Sequence, residues 1–134
     1  MTPPPDGFEP HVRKSPLTDP WEPLYCRRAD DSLQLGLWIA PPHTNSRGFA
    51  HGGLVSALAD NAMGLSCGLG LEVANGLLTV NLALDFLAVA RIGQWLQVEP
   101  TVVKRGRSLC FASALVTADG KPCARASATF QVVS

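Results

Sequence analysis

Between Gly48 and Leu71 the chain carries a single formally charged side chain, Asp60. Within that stretch, Gly53 to about Leu69 is rich in Ala, Leu and Met, lacks proline and is closed by Gly68 and Gly70. It reads as one helix of about four turns, apolar on nearly every side. A helix of that kind has to be buried, and the simplest cover is a curled antiparallel sheet.

The rest of the chain supplies the strands for such a sheet. Two short alternating segments, Leu24 to Arg28 and Leu33 to Ile39, flank Ala29-Asp30-Asp31-Ser32, which reads as a hairpin turn, and Pro41-Pro42 stops the second. After Gly76 come Leu77 to Leu87, Trp95 to Lys104, Ser108 to Ala118 and Pro122 to Val133. In the first of these, Leu78, Val80, Leu82, Leu84 and Phe86 alternate with Thr79, Asn81, Ala83 and Asp85, predicting one dry face and one wetter one. Asp119-Gly120 signals a tight hairpin. Antiparallel counting around it sets Cys123 near Val116 and Cys110 near Thr129, which keeps these two thiols apart. The fold class is therefore α+β, with one long central helix wrapped by five to six antiparallel strands.

Seven of the eleven prolines fall between Pro3 and Pro23. Residues 1–23 form a proline-rich arm unable to make helix or central strand, either disordered or laid over the body with Phe8 and Trp21 as anchors. Residues 24–134 are the folded domain. Eleven basic residues balance eleven acidic ones, which argues against a nucleic-acid binder working by bulk charge. Charged residues are only 16% against 46% apolar, so part of the surface is expected to be covered in an oligomer. No stretch resembles a signal peptide or a membrane span, which predicts a soluble, cytoplasmic protein without a membrane partner. Cys26, Cys67, Cys110 and Cys123 lack Cys-x-x-Cys spacing and sit among apolar neighbours, so reduced, packed thiols are expected and no metal site.

Burying the Asp60 carboxylate costs several kcal/mol unless it is paired or protonated, so it reads either as lying on a narrow exposed stripe or accepting hydrogen bonds from a partner helix, or as a general base or nucleophile in a dry cleft. Just before the helix runs Asn45-Ser46-Arg47-Gly48-Phe49-Ala50-His51-Gly52-Gly53. Two glycines at a helix entrance admit another group close to the backbone, and the first helical N–H groups point outward as a carbonyl-polarising site. At 1.5 Å per residue, His51 and Asp60 lie roughly 13 Å apart along the axis, too far to serve one carbonyl. If both act on one substrate, two helices run antiparallel across a two-fold axis, Asp60 of one facing the entrance of the other.

These residues, with Thr79 on the following strand and the turn Lys104-Arg105-Gly106-Arg107-Ser108, strongly resemble the hotdog-fold acyl-CoA thioesterases of the phenylacetic-acid-degradation and 4-hydroxybenzoyl-CoA thioesterase-like group. The resemblance covers about residues 24 to 133 and implies a homodimer with shared active sites, with dimers often pairing again. It implies that Gly52 or Gly53 donates the amide that polarises the thioester carbonyl and that Asp60 activates water or attacks directly. Asn45 and His51 would orient substrate or the entrance loop, and Thr79 would hold the water. The implied substrate is an acyl- or aryl-CoA, with no cofactor beyond the CoA of the substrate itself. Where the family usually has Arg-Pro-Ala after the strand's aromatic, this chain has Ala88-Val89-Ala90, so a cation is missing at that edge.

Lys104, Arg105 and Arg107, around Gly106 and beside Ser108, read either as a solvated turn or as a clamp for the CoA phosphates, with Arg47 a weaker candidate. A Ser/His/Asp hydrolase built on Ser56 lacks the Gly-x-Ser-x-Gly elbow. A hotdog dehydratase or hydratase would need its His placed differently relative to the acid. The alternative from another class is a non-catalytic acyl-CoA binder on the same dimer.

Overall fold

The computed structural model describes residues 2–71 and 76–133. One long helix, α1 (Gly52–Gly68), packs against a seven-stranded antiparallel sheet. In chain order the strands are β1 (Glu9–Pro10), β2 (Tyr25–Ala29), β3 (Ser32–Trp38), β4 (Leu77–Phe86), β5 (Trp95–Arg105), β6 (Leu109–Ala118) and β7 (Lys121–Val132). In space they run β1-β2-β3-β5-β6-β7-β4, which leaves β1 and β4 as the two edges. This is the hotdog architecture with a seventh strand. The addition comes from the arm, whose Pro10 is tolerated because an edge strand need not donate on its outer side.

Leu54, Val55, Leu58, Ala59, Ala62, Met63, Ser66 and Cys67 of α1 are buried against the sheet. Facing them are Leu35, Leu37, Ile39, Leu96, Val98 and Val116, each essentially inaccessible. Each such side chain contributes roughly 1.5–3 kcal/mol over its exposed state. The opposite stripe, Ser56, Ala57, Asp60, Asn61, Gly64 and Leu65, is only partly covered within the chain. The apolar helix is thus buried on its sheet side and half-covered on the other.

The arm lies across the body as a strap. Phe8 meets the Trp95 ring edge-on at 5.0 Å between centroids, under the Arg27 guanidinium at 4.4 Å. Trp38 Nε1 donates to the Pro3 carbonyl (3.2 Å), and the Trp21 carbonyl accepts from His43 Nε2 (2.8 Å).

Three expectations need correction. Cys67 and Cys110 form a disulfide, with Cα atoms 6.2 Å apart, because the last turn of α1 lies on the start of β6. Cys26 and Cys123 remain free thiols, and burial pushes both up from their ordinary pKa. The β6–β7 register is one residue off the simple count: Val116 pairs with Ala124 and Cys110 with Phe130, because the ladder shifts at Cys123. A second register shift, between Thr79 and Asn81, breaks the alternation of β4. Leu82 and Leu84 pack on the core, whereas Leu78, Val80 and Phe86 are 56–57% exposed. The expected dry face of that strand is therefore split, and much of it is left open on a sheet edge.

Candidate active site

Asp60 projects from the half-covered stripe of α1 towards β4, where Thr79 stands just before the register shift. The Thr79 hydroxyl donates to Asp60 Oδ1 at 2.7 Å. That bond fixes the carboxylate and leaves Oδ2 without a partner among the described residues. Both residues line a cleft of ≈ 620 Å³ together with Asn61, Gly64 and Leu65 of the helix.

At the other end of α1 the entrance loop is organised by a single side chain. Asn45 Oδ1 accepts from the amides of Arg47 (2.9 Å) and Phe49 (3.2 Å), while Gly48, at φ +80°, takes the left-handed conformation that closes the turn. Behind the loop, buried His43 accepts from Ala40 N–H on Nδ1 (2.9 Å) and so donates from Nε2 to the Trp21 carbonyl. Its own carbonyl accepts the His51 amide at 2.9 Å.

His51 is the N-cap of α1, and its Nδ1 accepts the Gly53 amide at 2.8 Å. In the neutral ring the proton then sits on Nε2, which has no partner among the described residues. The same bond removes Gly53 from the two candidate amides. Gly52, the first helical residue, keeps an N–H with no partner among the described residues. A Cβ at Gly52 would lie 3.3 Å from the Phe86 ring, so glycine lets that aromatic close over the helix entrance. Gly52, Asn45, Arg47, Phe49, Phe86 and the Ala88-Val89-Ala90 segment line a second cleft of ≈ 310 Å³.

Within one chain, Asp60 and Thr79 are therefore brought together at one cleft and Asn45, Arg47 and Gly52 at another, with no lining residue shared, while His51 caps the helix start without lining either. The cationic segment at the end of β5, whose Lys104 and Arg105 belong to the strand, divides differently. Arg105 is consumed internally: it donates to the Ser66 carbonyl (2.8 Å) at the end of α1 and pairs with Asp31 at 3.1 Å. Lys104 and Arg107 are exposed and carry no ion pair among the described residues; Gly106 and Ser108 make backbone bonds to Leu109 and Val132. Sequence reasoning missed the arm's part in the Asp60 cleft, where His11, Arg13, Lys14, Ser15 and Thr18 form a wall. The adjacent cations Arg13-Lys14 were the one available signal, and nothing local says where a proline-rich strap will lie.

Residues 47–124 match the model of the thioesterase superfamily. The chain is 42% identical over 129 residues to a Pseudomonas aeruginosa PAO1 protein named "Putative esterase PA0474", covering 96% of each. It is 30% identical over 91 residues to acyl-coenzyme A thioesterase 13 of Mus musculus, spanning 66% of this chain and 63% of that one. Among solved structures, the phenylacetic acid degradation-related protein of Ralstonia eutropha JMP134 superposes with a TM-score of 0.78 at 27% identity, covering 90% of this chain and 92% of the other. The chain belongs to the thioesterase superfamily and is a thioester hydrolase of the hotdog fold.

Proposed function

We propose that the protein hydrolyses acyl- or aryl-CoA thioesters in active sites shared between two copies of the chain. The observation that carries this reading is the Asp60–Thr79 pair at one cleft and an unengaged Gly52 amide at another, in a chain whose superfamily cleaves thioesters. The acyl-coenzyme A thioesterase likeness supports CoA as the leaving thiol.

In this mechanism the thioester carbonyl oxygen accepts the Gly52 N–H at the positive end of α1, which stabilises the charge of the tetrahedral intermediate. The Asp60 carboxylate of the other copy, steadied by Thr79, takes a proton from water as it attacks, or attacks the carbonyl itself. Collapse of the intermediate expels the CoA thiolate, leaving the free acid when water has attacked, or a mixed anhydride on Asp60 that a water then hydrolyses to the free acid. His51, the N-cap residue, sits beside the same entrance. An antiparallel pairing that sets Gly52 of a second copy against Asp60 also sets that copy's entrance loop beside the last turn of α1, close to Lys104 and Arg107. Those two cations and Arg47 would then flank the nucleotide end of the substrate, and four exposed apolar side chains near β4, Leu78, Val80, Phe86 and Leu87, would be covered by the pairing.

The test is release of CoA thiol from a panel of esters varied in chain length and aromaticity. Asp60→Asn is expected to lower kcat by at least about a hundredfold while substrate binding survives. Equal rates for the two proteins would contradict the assignment.

A further inference from the structure

We propose that the N-terminal arm is part of the substrate site, and that Arg13 binds a carboxylate at the distal end of the acyl group. This rests on the acyl-CoA thioesterase reading and narrows its substrate to CoA esters of dicarboxylic acids.

The cleft beside Asp60 has a size suited to a small organic group, at ≈ 620 Å³. One wall is the half-covered stripe of α1 with Thr79, and the arm supplies the other. Because the arm continues from β1, at the sheet edge opposite β4, the cleft leads from the reacting carboxylate across the helix towards the far side of the sheet. Leu24, Leu35 and Leu65 give it an apolar lining suited to methylene groups.

The three basic side chains of the arm wall are not equivalent. Lys14 is neutralised by Glu22 at 3.0 Å. His11 is only 7% exposed, with Nδ1 unpartnered among the described residues, and burial holds its pKa below the ordinary imidazole value, which favours the uncharged ring. Arg13 is exposed and has no hydrogen bond or ion pair among the described residues. A full positive charge is thus held, without an ion pair among the described residues, on the wall of a cleft that mixes apolar side chains with the polar groups of the arm and of the Asp60–Thr79 pair. The backbone that carries it is fixed by His11 N–H to the Leu24 carbonyl (2.9 Å) and by the Ser15–Thr18 hydroxyl pair (3.0 Å). A guanidinium on a fixed strap is well suited to two parallel hydrogen bonds with a carboxylate. The phosphates of CoA have other unpaired cations, Arg47, Lys104 and Arg107, outside this cleft.

Thiol release from adipoyl-CoA and hexanoyl-CoA, equal in chain length and differing only in the terminal carboxylate, tests the assignment on the full chain. The expected result is a kcat/KM preference for adipoyl-CoA of at least about tenfold, expressed in KM. Arg13→Gln should raise KM for adipoyl-CoA about tenfold more than for hexanoyl-CoA, and Arg13→Lys should restore part of the difference. No preference in the wild type, or an equal loss for both esters in Arg13→Gln, would overturn it; the second result would place the guanidinium on the CoA portion. If no ester in the panel releases thiol, the thioesterase reading itself fails. Calorimetric binding of the same two esters to Asp60→Asn, with and without Arg13→Gln, then still decides whether the carboxylate is recognised.

Discussion

Among the described residues the hydroxyl of Thr79 has one hydrogen-bond partner, the carboxylate on which the proposed chemistry depends. A hydrogen bond to a charged group is worth about 1.5–3 kcal/mol, so Thr79→Ala is expected to lower kcat by roughly ten- to a hundredfold with little change in KM. Thr79→Ser, which keeps the hydroxyl, should stay within a few-fold of wild type; steady-state kinetics of both variants against one ester separates a lost hydrogen bond from lost packing. His11 contributes differently. Its folded pKa is depressed below 6.5 by burial, partly opposed by Glu22, so the unfolded chain binds the proton more readily. The stability it confers is present above about pH 6.5 and is lost as the pH falls through the lowered folded value. Thermal melts from pH 7.5 to 5.5 should therefore drop more steeply for wild type than for His11→Gln, and parallel slopes would contradict that role.

At the scale of elements, α1 is held at both ends by side chains the sequence assigned to other work. His51 caps its start with an imidazole nitrogen, and Arg105, from the end of β5, supplies the cation at its finish, where the helix dipole favours positive charge. Arg105→Gln is expected to cost about 1–2 kcal/mol, seen as a fall of roughly 3–8 °C in Tm by calorimetry. A phosphate clamp would instead raise KM and leave Tm alone. The helix and six of the strands were legible because hydrophobic period and turn residues are local signals; so was Asp60, a lone charge in an apolar run. The register shifts beside Val80 and at Cys123 have no local signature, and each moved a predicted neighbour or face. The Cys67–Cys110 bond, the docking of Arg105 on the helix end and the course of the arm all depend on contacts between distant segments. For the site, the motif residues were readable singly, whereas the commitment of the Gly53 amide to His51 needed the geometry.

For the whole molecule, the division of the motif residues between two separate clefts and the exposed apolar edge strand lead to the same arrangement. Sedimentation at micromolar concentration should find a dimer or a multiple of it, with no stable monomer. Complementation between two inactive chains examines the shared site itself. Gly52→Pro removes the proposed polarising N–H at the one helical position that accepts proline, after an extended His51 (ψ 134°), and Asp60→Asn removes the base. Each variant alone should be nearly inactive. Unfolded and refolded together in equal amounts, they should regain about a quarter of wild-type activity, because half the dimers are mixed and each mixed dimer holds one intact site. Activity no higher than that of either parent, in a preparation shown to contain mixed dimers, would contradict a site built from two chains.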